Sequence, residues 1–464
     1  MCPEPTMETG HGVLLARVRS EVADDLATSG TRGMRLADRR EFARQVTLSR
    51  LQAVATERLA AGEQTLDLHD ERRLAQEILD ALFGLGRLQG LIDDQSIENI
   101  DVNGCDRVWV TYADGTKETV APVAETDDEL IEMVRSAAAR LGLTERRFDN
   151  SCPELDLRLP DGSRLSALMS VTSRPAVSVR RHRYMALDLS DLVGMGTLDD
   201  EVASLLSAAV RARKNIVVAG AMNSGKTTLV RALASEIPAR ERVVTIEQAF
   251  ELGLDTIPGR HPDLVALEAR AANAEGEGEI TMSRLVRRAL RMNADRVIVG
   301  EVLGDEVLPM LNAMSQGRSG SMCTIHADSS DGVFRRLASY AVQAPERLPL
   351  EATNILIAGA VHFVVYVEVT DAPTSAPHRA RERVGPSPSH GLRRFDALAR
   401  RRFVSSIREV VDAEGLQVVS NEIFRSGAPG DVPIPAAPLR STTLQVLQAH
   451  GYEPYKSRGR EVAR

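Results

Sequence analysis

The stretch "VVAGAMNSGKTTLVRALA", residues 217–234, decides how the rest of the chain is read. An apolar run stops at Gly220; six residues on, Lys226 and Thr227 open a segment that carries Leu229, Val230, Leu233 and Ala234 at helical spacing. Gly220 to Thr227 fits G-x-x-x-x-G-K-[ST], and each fixed position has a physical reason. The glycines let the backbone curl with its N–H groups inward, and the helix N-terminus adds partial positive charge. The lysine then reaches β- and γ-phosphates while the threonine hydroxyl ligates Mg²⁺. A glycine turn of purely structural use explains neither the strand before it nor the helix after it. Gly220, Asn223, Ser224, Gly225, Lys226, Thr227 and Thr228 are therefore the phosphate-binding candidates, Thr227 is a metal ligand, and ATP with Mg²⁺ is the expected cofactor.

Cleavage of a bound triphosphate asks for acids at the tips of neighbouring strands. From about residue 199 the texture alternates helix and strand, with β-branched runs "NIVVAG", "RVVTIE", "RVIVGEV" and "GSMCTIHA". That alternation predicts an α/β fold, a mostly parallel sheet with helices on both faces, in which ligands bind at the carboxyl ends of the strands. Those ends carry Glu247, Glu301 and His326. A lone acid there is more often solvated or capping, and a lone histidine more often structural, but two acids on strands flanking a phosphate loop shift the reading toward catalysis. Glu301 is the Walker-B-like acid and second metal ligand, Glu247 a second catalytic carboxylate, and His326 a γ-phosphate sensor. In "RLVRRALRMNADR", Leu285, Val286, Ala289 and Leu290 share an apolar helix face and the arginines lie mainly opposite. Most of these arginines read as solvated or paired, and Arg291 is the one chosen to reach a phosphate.

With 464 residues, two or three domains are expected. A hydrophobic share of 43% and a charged share of 26% are those of an ordinary globular chain. The net charge of -8 and an aromatic content of 3% disfavour nucleic acid as a partner. Cys2, Cys105, Cys152 and Cys323 are scattered with no metal-ligand spacing, so idle thiols in a reducing cytosol are expected. The acidic N-terminus does not resemble a leader, and the longest apolar stretch, residues 355–369, is shorter than the ~20 residues of a spanning helix. The expected domains are a helical, partly mobile lead-in (1–75), a smaller α/β N-terminal domain (76–185), a linker (186–198), a P-loop NTPase core (199–370) that the family resemblance given next implies to be RecA-like, a flexible Pro/Ser/Arg-rich insertion (371–393), and C-terminal strands and tail (394–464).

Taken in order, "LGRLQGLIDDQSIENIDVNGCDRVWV", "FDNSCPELDLRLPDGSRLSAL", "SVRRHR", the phosphate loop, "VVTIEQAFEL", "RRALRMNADRVIVGEVLG" and "GSMCTIHA" resemble the type II/type IV secretion system ATPases, in particular the branch that powers Tad/Flp-type pili. The likeness spans about residues 80 to 370. It implies a homo-hexamer of two-domain subunits, cytoplasmic and peripheral at the inner face of the cell membrane, working on inner-membrane pilus or secretion platform proteins. It also implies that Arg164 and Arg181 contact nucleotide across the interdomain cleft. Three positions depart from the family pattern: Ala221, Met222 and Asn223 replace the usual loop residues, Gln248 stands where an aspartate is usual, and Leu303 where an arginine is. Two other readings stay open, a nucleotide-gated scaffold with weak hydrolysis and a nucleic-acid translocase on a RecA-like core.

Overall fold

The computed structural model describes residues 7–454, apart from 31–33, 113–114, 142–146, 182–185, 271, 273–275, 316–318, 373–393, 396–398 and 429. These fall into two compact units divided after Arg181.

The first unit opens with three helices, α1 (Met7–Thr28), α2 (Leu36–Ala60) and α3 (Leu68–Phe83). Val18 and Val22 of α1, Leu51 and Val54 of α2, and Leu74 and Ile78 of α3 bury one another in a core of their own. This corrects two expectations. The lead-in is a packed helical group, and the boundary at residue 75 would cut α3 through its buried face. There follow α4 (Leu88–Asp93), β1 (Ile97–Asn103), β2 (Val108–Tyr112), β3 (Lys117–Val120), α5 (Asp127–Leu141), β4 (Glu154–Arg158), β5 (Arg164–Leu168) and β6 (Ala176–Arg180). The strands pair antiparallel in the order β3-β2-β1-β6-β5-β4. Gly104 and Gly162, at φ 78 and 85, make the turns after β1 and between β4 and β5 that their Asn-Gly and Asp-Gly dipeptides predict.

The second unit begins with α6 (Leu189–Gly194) and α7 (Asp200–Arg211), then β7 (Ile216–Gly220), α8 (Lys226–Ala234), β8 (Val243–Glu247), β9 (Leu264–Glu268), α9 (Met282–Ala289), β10 (Arg296–Val302), α10 (Val307–Ser315), β11 (Met322–His326), α11 (Gly332–Gln343), α12 (Leu350–Ala360) and β12 (Phe363–Ala372). The two-residue β13 (Arg394–Phe395) returns to the first unit, where it pairs with β3. Then come β14 (Ala399–Glu414), β15 (Gln417–Arg425), β16 (Ile434–Pro435) and α13 (Ser441–Gln448). One nine-stranded sheet runs β16-β15-β14-β12-β7-β11-β10-β8-β9. From β12 to β9 every pairing is parallel; β14, β15 and β16 add antiparallel.

Two further expectations are corrected here. The segment read as a linker contains α6, capped reciprocally by Asp188 and Asp191, and its Leu189, Leu192 and Leu198 are buried with β7 and α8. The boundary drawn at 370 separates strands of one sheet: Phe403, Val404 and Ile407 of β14 are buried, and β14 reaches the phosphate-loop strand through β12. The insertion expected at 371–393 lies outside the described residues except for Asp371 and Ala372, which end β12.

Candidate functional site

β7 is buried along its whole length and ends at Gly220, where the chain leaves the sheet. Gly220 is required by its surroundings: a Cβ there would lie 2.3 Å from the Val367 carbonyl oxygen of β12 and 2.5 Å from Ser224 Oγ. Asn223 and Gly225 take left-handed conformations, φ 60 and 99, and Gly225 is the N-cap of α8. Asparagine tolerates that region better than most side chains, which is how the loop curls without the usual run of glycines. Arg402 of β14 donates from Nε to the Asn223 carbonyl at 3.0 Å and holds the curl from outside.

Lys226 is buried and folds back over the loop, donating from Nζ to the carbonyls of Ala221 (2.8 Å) and Gly220 (3.2 Å). It also lies 3.1 Å from Nδ1 of His326. Strand register brings these two together, because His326 at the tip of β11 pairs with Gly220 at the tip of β7. The other ring nitrogen, Nε2, is 2.7 Å from Glu301 Oε1, and both side chains are 34% exposed. An ammonium can only donate, so Nδ1 accepts, and the imidazole proton resides on Nε2 and points at the carboxylate. Glu301 stands where the β10–β11 register shifts between Val299 and Val302, an irregularity of the kind that re-aims a side chain.

Glu247 departs from expectation. It is buried, and its Oε2 accepts the backbone N–H groups of Glu251 and Leu252, each at 2.7 Å, bracing the turn after β8. It passes close to β10, its Cγ 2.9 Å from where a Cβ on Gly300 would stand. Arg291 is a second correction. It is exposed in the turn between α9 and β10, at the amino ends of the parallel strands, whereas the phosphate loop lies at their carboxyl ends. Arg164 starts β5 and sits 3.4 Å from Asp156 of β4, and Arg181 follows β6, its N–H donating to the Glu98 carbonyl; both belong to the first unit. Thr227 and Thr228 are half-buried in the first turn of α8. Of the departures from the family pattern, Gln248 is exposed at the end of β8 and Leu303 is 48% exposed after β10.

The residues present fit a bound nucleotide. The loop leaves no room for a side chain at Gly220, and Ser224, fully buried, has a hydroxyl with no hydrogen-bond partner among the described residues. Buried polar atoms are rarely left so unless something else satisfies them. Phosphate oxygens would fall to Lys226 and the loop N–H groups, and Mg²⁺ to Thr227 and Glu301. Arg402 and the Val367 carbonyl escaped the sequence reading. The only signal for Arg402 is a basic run, Arg400 to Arg402, and nothing local ties it to a loop 179 residues earlier.

A family model described as "Type II/IV secretion system protein" matches residues 83–383. A Mycobacterium tuberculosis protein provisionally named for conjugal transfer is 35% identical over 295 residues, covering 62% of this chain and 80% of its own. The type IV secretion system protein PtlH of Bordetella pertussis is 31% identical over 315 residues, covering 62% and 89%. Among solved structures, the VirB11 ATPase of the Brucella suis type IV secretion system, in complex with sulphate, matches with 29% identity and a TM-score of 0.32 over 62% of this chain and 89% of that one. No helix among the described residues is long and apolar enough to cross a membrane.

Proposed function

The chain belongs to the type II/IV secretion system protein family, and on that premise we propose that it is a P-loop ATPase that converts ATP hydrolysis into motion for protein secretion or for assembly of Tad/Flp-type pili. It works as a homo-hexamer, cytoplasmic and peripheral at the inner face of the membrane, on inner-membrane platform proteins. The observation that carries the reading is the contact chain Lys226–His326–Glu301, which joins a phosphate lysine, a sensor and an acid at the tips of three adjacent strands.

Mg²⁺–ATP supplies the γ-phosphoryl group and the cation that offsets its charge. Lys226 can exchange the loop carbonyls for phosphate oxygens by a side-chain rotation, since its ammonium already lies at the mouth of the curl. That rotation breaks its contact with Nδ1 of His326 while leaving the Nε2 contact to Glu301, so His326 registers whether the lysine is engaged. Glu301, oriented by that contact, is the group that would hold the cation or direct the attacking water.

Phosphate release from Mg²⁺–ATP should fall by at least about 100-fold in both Lys226→Ala and Glu301→Gln. Turnover that persists in both variants would remove the mechanism. A second reading, a nucleotide-gated scaffold, is favoured by Gln248 and Leu303 standing where the family pattern has charges. Tight ATP binding with no phosphate release in the wild-type chain would select it.

A further inference from the structure

Two residues of β10 break the alternation of their strand. Side chains of a regular strand point to opposite faces in turn, so residues three apart lie on different faces. Val299 and Val302 are three apart, yet both are buried in one apolar cluster with Cys323 and Ile325 of β11. The ladder shows how. Val299 pairs with Cys323 and Val302 with Ile325, so Gly300 and Glu301 together stand opposite the single residue Thr324. This is a β-bulge with one inserted residue. In a regular strand Glu301 would share the face of Val299 and carry its carboxylate into the apolar cluster. The inserted residue turns it out of that face, and it meets His326 at 2.7 Å.

A bulge forfeits ladder hydrogen bonds, so the freed backbone groups need other partners. Thr324 supplies one, donating from Oγ1 to the Gly300 carbonyl at 2.5 Å. Thr324 is only 1% exposed. A valine would fill that strand position equally well, and what threonine adds is the hydroxyl. On the other flank of β10, Val299 pairs with Ile246 of β8, which brings Gly300 opposite Glu247. Glu247 Cγ stands 2.9 Å from where a Cβ on Gly300 would lie, and its Oε2 is tied to the N–H groups of Glu251 and Leu252. That wall has little freedom to retreat, so position 300 has room for glycine alone.

We propose that Thr324 is a positioning residue for ATP hydrolysis: its hydroxyl holds the Gly300–Glu301 bulge and so aims the Glu301 carboxylate at His326, with Glu247 backing Gly300 from the neighbouring strand. Register sets Thr324 beside Val218, two residues short of Gly220, so the grip of the loop on phosphate lies outside this hold. Loss of the hydroxyl therefore acts on the chemical step and not on nucleotide affinity. That kinetic consequence rests on the ATPase reading, whereas the hold on the bulge does not.

Two measurements on the full chain test the proposal. Thr324→Val removes the hydroxyl and keeps the branched shape, and Thr324→Ser keeps the hydroxyl. In the absence of nucleotide, hydrogen exchange read by mass spectrometry should run about fivefold faster over residues 296–304 in Thr324→Val, stay at the wild-type rate in Thr324→Ser, and stay unchanged in β14 and β15 for both. In phosphate release, Thr324→Val should lower kcat about tenfold or more with KM and calorimetric affinity for ATP unchanged, and Thr324→Ser should return kcat to within about threefold of the wild type. Gly300→Ala keeps the hydroxyl but drives a Cβ into Glu247, and should lower kcat likewise.

Unchanged exchange over residues 296–304 in Thr324→Val, or exchange raised as much in Thr324→Ser, overturns the hold. Faster exchange throughout the second unit overturns it as well, since Thr324 would then be a general strut. Full kcat in Thr324→Val, or a raised KM at unchanged kcat, overturns the positioning role. Full kcat in Gly300→Ala removes Glu247 from the arrangement. Exchange that responds as stated in a chain whose wild type releases no phosphate leaves the hold standing and removes the ATPase reading instead.

Discussion

At the amino ends of the parallel strands, Asn215 donates from Nδ2 to the carbonyls of Met314 and Ala360 and accepts at Oδ1 from the N–H groups of Gly320 and Ser321. Its own N–H goes to Nδ1 of His362. Beside it Arg296, fully buried, is bonded to Glu241 through two nitrogens and to the carbonyls of Val210 and Gly320. At the carboxyl ends of the same strands, Ser224 is buried and its hydroxyl has no hydrogen-bond partner among the described residues, Asn223 is left-handed, Met222 is 74% exposed, and Lys226 spends its ammonium on its own loop. The Asn215–Arg296 anchor is saturated, and the loop at the other end is held short of saturation. Hydrogen-bond capacity completed within the chain stabilises; capacity left over is what a ligand can complete.

The comparison breaks most visibly if the amino end is damaged. Glu241→Ala leaves the Arg296 guanidinium buried without its counter-charge, and loss of one partner of a buried pair costs about 3–5 kcal/mol. Urea unfolding should show that loss, with ATP affinity per folded molecule unchanged. An effect below about 1 kcal/mol would mean that the carbonyls of Val210 and Gly320 suffice.

Gly220→Ala tests the other end. A Cβ 2.3 Å from the Val367 carbonyl forces the loop off β12. Such overpacking costs about 1–3 kcal/mol. Because the strained element is the phosphate loop, it should emerge as an ATP affinity lowered on the order of 10- to 100-fold, read by titration calorimetry. A variant that binds ATP normally but melts early would show that the close contact serves stability instead.

Acid offers a third way to sharpen the contrast. His362 immediately precedes β12 at the amino end, and burial, with Lys214 and Arg440 nearby, lowers its pKa from the ordinary 6.5 to about 4. Between those values the unfolded chain binds a proton that the folded chain refuses. Its contribution is therefore complete above the ordinary imidazole value and is lost as pH falls toward 4. Near pH 5 the loss amounts to about 2 kcal/mol. Chemical denaturation at pH 7 and pH 5 should show it, and His362→Gln should flatten that part of the profile.

The two ends were also unequally legible in the sequence. Eight contiguous residues predict the curl that Gly220 to Thr227 make, because every fixed position answers a local backbone demand, and the reading of the strands places Glu301 and His326 at the tips where the structure has them. The amino-end anchor joins Asn215 to Ala360 across 145 residues and Arg296 to Val210 across 86, and such partners are set by strand pairing that no local pattern encodes. Arg291 was misplaced for a related reason: helical spacing reveals which face an arginine takes but not which end of the sheet its helix approaches. In the N-terminal helices, dense alternating charge masked a buried stripe that includes Val18, Val22, Leu74 and Ile78. At the strand tip of β8, Glu247 has the right residue type, but its Oε2 is committed to two backbone N–H groups a turn later, a use that only the path of the chain reveals.

Arg402 lies between the two regimes and gives the smallest effect. It is a positioning residue, in that its Nε donates to the Asn223 carbonyl and fixes the one non-glycine left-handed residue of the curl. A hydrogen bond at a partly exposed site contributes about 1 kcal/mol. If it pre-organises the loop for the ground state and the transition state alike, Arg402→Gln should raise KM for ATP about fivefold with kcat unchanged, because uniform binding is what has been lost. A fall in kcat at unchanged KM would instead assign the guanidinium to the transition state. A lowered melting temperature with neither constant altered would return Arg402 to the saturated class, as one more strut of β14. Arg402→Lys discriminates further: it keeps the charge but not the planar Nε donor, so recovery of KM would show that local positive potential, and not the bond to Asn223, is what the loop needs.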